Sequence, residues 1–319
     1  MHSNIQPVQE TTVDYSMICV SDLDRFRQAQ KLAYDCVEHT ANRLRTGMTE
    51  KEACALMKGW LREHGVNDLF HDPFAWFGDR AAFKDFWADH KFLPSNRRLE
   101  EGMTGILDVA PIMDGYSADI GYCFVHGKNP RMQAALDRMN RTLLQLRDHI
   151  VQGVRERKTF KRIYLEVDAL IADAGYVNQH KRYPHRVLGH RVGRHMANPL
   201  NKVRWLGFGL PIYLSLTARQ WSAKLMPRTM KSPLWNDGRE SDHQPFEGLW
   251  AVEPHIALPD QSLGVKWEEI LVITKDGAWW LDDDVPHCKA GLARGWWSAT
   301  DNTAIRAFAD RPPTHPICG

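Results

Sequence analysis

The chain has 319 residues, of which 43% are hydrophobic and 25% charged, a composition typical of folded globular proteins. Its 41 Lys and Arg residues nearly balance its 39 Asp and Glu residues, so the total charge gives no general attraction for nucleic acid or for an anionic membrane. We also expect no membrane partner because no window holds 18 apolar residues in a row. The six cysteines are scattered without a CxxC pair, which favours reduced thiols in a cytoplasmic protein.

Four helices are predicted from the spacing of apolar residues, in two pairs about a hundred residues apart. Thr49 precedes the second helix and Glu52 lies three residues further on, which is the spacing of a capping box. Gly65, Gly153 and Gly175 mark the expected ends of the last three helices. The predicted helices span residues 22–45, 50–64, 130–153 and 160–175.

Each predicted helix pair is followed by a segment that favours a β-hairpin and carries carboxylates. This recurrence predicts an α+β domain over residues 22–285, built from two related halves at about 22–150 and 151–285. We expect residues 1–21 to form an N-terminal arm and residues 286–319 to form a C-terminal tail.

The first hairpin is predicted around Asp114 and Gly115, a dipeptide suited to a two-residue turn. With these residues in the turn, Asp108 lies opposite Gly121, and Asp119 lies two residues along on the same face. Two adjacent carboxylates repel each other, and burying them without a cation is costly. The pair therefore points to a cation site.

Residues 249–277 form a second predicted hairpin, in which Glu253 lies opposite Glu268. Strand alternation alone does not decide between Glu268 and Glu269 as the inward side chain. A single strand aspartate is more often a turn cap or a surface group, so the hypothesis depends on the joint pattern of two hairpins with paired acids. Two divalent cations would neutralise the four carboxylates, and the segment 189–195 supplies histidines that could complete the site.

In this order the residues resemble the pita-bread metallopeptidases, which include methionine aminopeptidases, prolidases, Xaa-Pro aminopeptidases and creatinase. The resemblance covers about residues 22–285 and implies the pita-bread fold, two pseudo-symmetric α+β halves around a curved antiparallel sheet. The matching positions are Asp108, Asp119, His190 within the Gly189–Gly193 segment, Glu253 followed by Pro254, and Glu268 ahead of a strand and the Asp276-Gly277 turn.

The resemblance implies a metal-dependent hydrolase of peptide or amide bonds, and a homodimer. It assigns two divalent ions, Mn, Co, Fe or Zn, to Asp108, Asp119, His190, Glu253 and Glu268. Asp119 and Glu268 would bridge the ions, and Glu253 would also act as the general acid and base. Composition does not choose among these metals.

Two further histidines are catalytic candidates by resemblance. His90 precedes Asp108 by eighteen residues, the spacing at which methionine aminopeptidases place a histidine near the scissile amide. His195 resembles the histidine that contacts the substrate carbonyl, with His185 as a rival. The chain departs from the family pattern at three positions, where it has Arg191, Gly121 and Tyr122.

An aromatic segment and a basic insertion distinguish the chain. Residues 70–90 hold seven Phe or Trp residues, and we expect Trp76, Phe77 and Trp87 to wall a broad apolar substrate pocket. The insertion at about 200–245 is basic and contains interleaved tryptophans. Such a segment could bind nucleic acid, but a lid or a subunit contact is favoured.

The leading hypothesis is an aminopeptidase or Xaa-Pro dipeptidase-like hydrolase. One alternative keeps the metal site but acts on a non-peptide small molecule, by hydrolysis or by a lyase reaction. Another is a non-catalytic binding protein, against which the retention of all five candidate ligands argues.

Overall fold

The computed structural model describes residues 13–14, 20–196, 198–227 and 229–298. Most of the predicted arm and the end of the predicted tail therefore lie outside the described residues. The helices are α1 (Val20–Ala41), α2 (Glu50–Glu63), α3 (Pro130–Arg155), α4 (Phe160–Asp173), α5 (Leu210–Leu225) and α6 (Pro286–Ala293).

The strands are β1 (Val13–Asp14), β2 (Asp68–Phe77), β3 (Thr104–Met113), β4 (Tyr116–Ser117), β5 (Ile120–Val125), β6 (Val177–Asn178), β7 (Gly189–Val192), β8 (Arg194–His195), β9 (Arg204–Trp205), β10 (Phe208–Gly209), β11 (Leu234–Trp235), β12 (Gly248–Val252), β13 (His255–Ala257), β14 (Gly264–Lys266), β15 (Glu269–Thr274) and β16 (Gly277–Trp280). Within the described part of the chain, no helix is long and apolar enough to span a membrane.

The four predicted helices are confirmed as α1 to α4. Thr49 and Glu52 form the predicted capping box, each side chain accepting from the backbone N–H of the other residue, at 3.2 and 2.7 Å. α3 does not end at Gly153, as predicted, but continues to Arg155. A Cβ on Gly153 would lie 2.9 Å from Ile163 Cγ1, so this glycine allows α3 and α4 to pack closely and does not cap the helix.

The predicted register of the first hairpin is confirmed. β3 pairs with β5 so that Asp108 lies opposite Gly121, and the turn residues Asp114 and Gly115 both have positive φ, 51° and 87°. These values fit the turns that match the right-handed twist of paired strands. The hairpin belongs to an eight-stranded antiparallel sheet with β2 on the other side of β3.

The predicted register of the second hairpin is also confirmed, but the hairpin is divided between two sheets. β12 pairs with β15 so that Val252 lies opposite Glu269, and β13 pairs with β14 so that His255 lies opposite Lys266. Glu253 lies where the ladder changes from one sheet to the other, because the following Pro254 has no N–H for the ladder. The mixture of helices and antiparallel strands confirms the α+β class.

Several elements were missed by the sequence analysis, including α6 in the predicted tail, and two of them, β2 and α5, bear on the site. β2 coincides with the aromatic segment and contains Pro73, which hides the usual strand pattern. α5 lies in the insertion and carries apolar residues on several faces, so it lacks the polar side that marks a surface helix.

Candidate metal centre

Four carboxylates meet where the two hairpins approach each other. Asp108 lies on β3 and Asp119 directly precedes β5, whereas Glu253 follows β12 and Glu268 precedes β15. A backbone bridge between Gly121 and Glu268 joins the hairpins. All four carboxylate residues are at most 7% exposed. The structure therefore brings the four acids predicted from the sequence into one buried site.

The imidazole of His190, on β7, completes this group. Its Nε2 lies 3.2 Å from Oδ2 of Asp119 and 3.7 Å from Oε1 of Glu268. The preceding Gly189 allows β7 to approach β12, because a Cβ there would lie 2.6 Å from the carbonyl oxygen of Ala251. This glycine therefore has a steric role in presenting His190 to the carboxylates.

Lys266 lies among the carboxylates and was not assigned from the sequence. Its Nζ is 3.0 Å from Oε2 of Glu253 and 2.9 Å from Oε2 of Glu268, and it also donates to Oδ2 of Asp108. Its aliphatic stem lies over Gly121, where a Cβ would come within 3.1 Å of Cγ and Cε. The signal for this lysine was its position two residues before Glu268, which puts both side chains on one strand face.

His71, on β2, is the second residue missed by the sequence analysis. Its Nε2 lies 3.0 Å from Oδ1 of Asp119 and 3.3 Å from Oδ1 of Asp108. Its Nδ1 lies 2.7 Å from the carbonyl oxygen of Asp72, so Nδ1 carries the proton. The lone pair of a neutral His71 would then face two carboxylates, and only a cation or a second proton relieves that contact.

Burial or neighbouring charges raise the pKa values of Glu253 and His190, whereas the charge of His71, acting against burial, lowers the pKa of Asp119. Burial together with the charge of Glu268 raises the pKa of Glu253 to about 8, against the opposing effect of Lys266. Burial opposes protonation of His190, but its hydrogen bond to Asp119 and the negative charge of Glu268 raise its pKa to about 10. Some side chains of the site therefore hold a proton and others a negative charge near neutral pH. Strongly shifted pKa values of this kind are typical of functional sites.

The donor set fits divalent cations. Within the described residues, Oε1 of Glu268 is buried without a hydrogen bond, and burying a carboxylate oxygen in that state is costly. Two sets of three ligand atoms lie within 4.8 Å of one another, and both include Asp119. Carboxylate oxygens with imidazole nitrogens suit manganese, cobalt, iron and zinc. The sets are His71, Asp108 and Asp119, and Asp119, His190 and Glu268.

Glu269 points away from this site, which answers the question left open by strand alternation. Its Oε1 is 2.6 Å from Nε of Arg147 and its Oε2 is 2.9 Å from Nη2. The Nε2 of His287 lies 2.9 Å from the same Oε1. Glu269 is therefore a buried partner of a cation on α3, and Glu268 is the inward acid.

The two catalytic histidines expected by resemblance do not line the cavity at the site, but His195 lies near His190, since both rings contact Phe70. His90 is exposed, in a short 3₁₀ segment, with its ring 5.7 Å from that of Trp87. His195 is buried on β8, where its Nε2 lies 3.2 Å from Oγ of Ser117, and burial with the charge of His190 lowers its pKa to about 3. His185, its rival, lines the cavity described next.

A cavity of about 150 Å³ adjoins the carboxylates. Its base is formed by the acids, His71, His190 and Lys266, and its walls are mostly aromatic. The predicted pocket residue Trp76 lines the cavity and donates from Nε1 to the carbonyl oxygen of Phe92 at 2.8 Å. The aromatic wall comprises Phe70, Phe74, Trp76, Phe92, Tyr183 and Phe208.

The structure does not bring Phe77 or Trp87 to this cavity, and both predictions are corrected here. Phe77 follows Trp76 on β2, so its side chain points to the opposite face and packs in the core with α2. Trp87 follows the strand in an irregular segment and is 75% exposed. The number of aromatic residues does not show which side chains face the cavity and which face the core. That distinction requires the strand β2, which the sequence analysis did not predict.

The insertion contributes part of the cavity wall. Phe208 of β10 pairs with His71 of β2, which fixes the insertion to the sheet next to the site. Tyr213, Leu216 and Thr217 of α5 then contribute to the cavity lining. One face of α5 therefore forms a roof over the candidate centre.

Comparison with solved structures shows the same fold in several peptidases. An X-Pro aminopeptidase from Thermotoga maritima matches with a TM-score of 0.61 and 20% identity, over 86% of this chain and 64% of that chain. A prolidase from Pyrococcus furiosus matches with a TM-score of 0.58 and 19% identity, over 84% and 65%. A methionine aminopeptidase from Rickettsia prowazekii matches with a TM-score of 0.53 and 16% identity, over 84% and 99%. These neighbours confirm the pita-bread fold.

Sequence comparison points in the same direction. An uncharacterized peptidase of Staphylococcus aureus is 27% identical over 172 residues, which cover 54% of this chain and 45% of the relative. The match thus spans less than half of that relative's length. The family model for metallopeptidase family M24 matches residues 24–275, which is most of the chain and includes every residue of the candidate centre. The chain therefore belongs to metallopeptidase family M24.

Proposed function

We propose that the protein is a cytoplasmic, homodimeric hydrolase that uses two divalent metal ions to cleave a peptide or amide bond. The observation that supports this proposal most strongly is the burial of four carboxylates and His190 in one site, where Oδ1 of Asp108 and Oε1 of Glu268 are buried without a hydrogen bond. Family membership and the aminopeptidase and prolidase neighbours support the reaction class. An Xaa-Pro or aminopeptidase-like substrate is part of the proposal.

Five residues would hold the ions, with Asp119 and Glu268 bridging. The shared position of Asp119 in both sets of ligand atoms supports the bridging role. When bound, two adjacent divalent ions ionise a water near neutral pH and polarise a carbonyl oxygen. The ligands are Asp108, Asp119, His190, Glu253 and Glu268.

The side chains around the ions would orient the ligands and move a proton. The carboxylate of Glu253 faces the cavity base and would take a proton from the attacking water and return it to the leaving nitrogen. Lys266 hydrogen-bonds three of the acids and would fix their orientation. The aromatic walls would exclude bulk water and strengthen these interactions.

The cavity favours a substrate with a compact apolar or aromatic group beside the scissile bond. Its volume of about 150 Å³ suits one side chain or ring and excludes a long folded peptide. This small size also supports the second candidate, a non-peptide small molecule cleaved at the same site by hydrolysis or a lyase reaction. Product analysis with both substrate classes separates the two, because cleavage of a peptide releases only amino acids or shorter peptides, whereas cleavage of a non-peptide releases at least one other product.

A metal-reconstituted screen over short peptides and small amides tests the proposal. The Asp108→Asn variant removes one charge from the coupled acids and is expected to lose both metal binding and activity. The matched control is Asp260→Asn, an exposed aspartate in the β13–β14 turn, which should behave as wild type. Full activity of Asp108→Asn, or metal binding without hydrolysis of any substrate, would contradict the proposal.

A further inference from the structure

The insertion presents an unusually apolar outer surface. We define the insertion face as the large apolar residues of this segment that are between 38% and 78% exposed. Their exposed areas add up to on the order of 1,000 Å² over α5 and the segments before and after it, and a single apolar patch of about 300–600 Å² is already large for a monomer. The insertion face comprises Leu200, Val203, Trp205, Leu214, Trp221, Leu225, Met226 and Met230.

The two sides of α5 have different surroundings. Tyr213 and Leu216 point into the substrate cavity, whereas Leu214, Trp221 and Leu225 are each more than half exposed. These three residues are spaced by seven and four positions, so they form one stripe along the outer side of the helix. The helix that roofs the cavity is thus covered on one side only.

We propose that a second copy of this chain covers the insertion face, so that dimer formation fixes the roof of the substrate cavity. This inference rests on the proposed homodimer and adds the surface that forms it. The exposed area is close to the roughly 800 Å² that each partner contributes to a standard interface. Trp and Met side chains with few acidic neighbours are also typical of interface cores.

The local charges favour a protein partner over a polyanion. The segment contains basic residues, but several are neutralised within the chain. Arg204 Nε lies 3.3 Å from Oδ1 of Asp72, and Lys224 Nζ lies 4.0 Å from Oε1 of Glu240. Trp205 and Trp221 could stack on bases, but the other six side chains of the insertion face are aliphatic or thioether groups, which cannot. The surface is therefore apolar with a modest positive charge, which suits a subunit contact better than nucleic acid.

Residues 1–12 and 299–319 each contain three large apolar residues, and residues 15–19 contain Tyr15, Met17 and Ile18, whereas the insertion face contains eight. A two-fold interface instead supplies an equally apolar surface, because the same patch is used on both subunits. The apolar composition of the insertion face therefore favours a second copy of the same chain as its partner.

Sedimentation velocity of the full-length protein, from nanomolar to tens of micromolar, tests the interface. We expect wild type to be a dimer and the Trp221→Glu/Leu225→Glu variant to be a monomer. The control Leu165→Glu/Leu170→Glu changes two comparably apolar exposed residues on α4 and should remain dimeric. Circular dichroism and manganese binding establish that each variant is folded.

Two outcomes would overturn the inference: a monomeric wild type or a dimer that survives the α5 substitutions. With a monomeric wild type, binding to phosphatidylglycerol vesicles or to single-stranded DNA would show that this face has a different partner. A kinetic measurement tests separately whether dimer formation fixes the α5 roof of the cavity. The monomeric variant should bind manganese like wild type but show a KM raised about tenfold, and an unchanged KM would contradict the link. Hydrolysis by a monomeric wild type would retain the proposed hydrolase activity while ruling out both the homodimer and this interface.

Discussion

Lys266 is the feature that most distinguishes this centre from a simple set of metal ligands, because it places a positive charge among the carboxylates. Its ammonium group hydrogen-bonds the same carboxylate oxygens that a divalent ion would bind. The neighbouring Gly121 has no side chain, so the lysine stem can lie against the strand. An internal cation of this kind limits the repulsion among the acids and competes with metal for them.

Replacing Lys266 by Met is therefore expected to strengthen manganese binding about tenfold, because one competing positive charge is removed at hydrogen-bond distance. Activity should fall, since three acids lose the donor that orients them. Isothermal titration with manganese measures the affinity. Lys289→Met, at an exposed lysine paired with Asp284, is the matched control, and weaker metal binding by Lys266→Met would contradict this role.

Individual site residues were predictable where their spacing followed strand geometry. The register of both hairpins placed Asp108, Asp119, Glu253 and Glu268 correctly relative to one another. His71 could not be found in the same way. Its contact with Asp119 depends on β2 lying beside β3 with a locally irregular register, and no periodicity within β2 reveals that pairing.

At the scale of elements, two tryptophans that were both predicted to wall the pocket differ because only Trp76 lies on β2. Trp76 lines the cavity, whereas Trp87 is exposed beyond the strand. Trp76→Ala should raise KM for an apolar substrate about tenfold, because a buried aromatic contact is lost, and Trp87→Ala should change it less than twofold. Steady-state kinetics on one substrate checks both, and equal effects would contradict the assignment of the cavity wall.

Helices with a single apolar face were predicted well, and α5 was not. α2 has the capping box and a buried apolar stripe, which are local signals. α5 is apolar on the side that roofs the cavity and on the side that forms the insertion face. The apolar residues of α5 therefore serve two contacts, one with the cavity and one with the proposed second subunit. Neither contact can be read from the local sequence.

At the scale of the whole molecule, neutral buried histidines make stability depend on pH. His255 is fully buried, with Nε2 2.8 Å from the carbonyl oxygen of Ala81, and burial with the charge of Lys266 lowers its pKa to about 3. Its unfolded pKa is about 6.5. Between these values the unfolded chain binds more protons, so stability falls as the pH drops through this window.

The His255→Gln variant is expected to lose this component of the pH dependence while still donating to Ala81. Between pH 7 and pH 4.5 wild type should lose about 2 kcal/mol more unfolding free energy than the variant. Urea unfolding at both pH values measures the change in unfolding free energy of each protein. The contributions of the other titrating groups cancel when the two proteins are compared. Parallel pH profiles for the two proteins would show that His255 does not titrate in this way.

The central claim is that two hairpins assemble a site for two divalent ions, and a crystal grown with manganese tests it most directly. Anomalous scattering should give two peaks, both contacted by Asp119 and Glu268, with Asp108, His190 and Glu253 completing the ligands. Lys266 Nζ should then withdraw from the carboxylate oxygens. Absence of a peak among these five side chains, with Lys266 still bound to the acids at saturating manganese, would contradict the account.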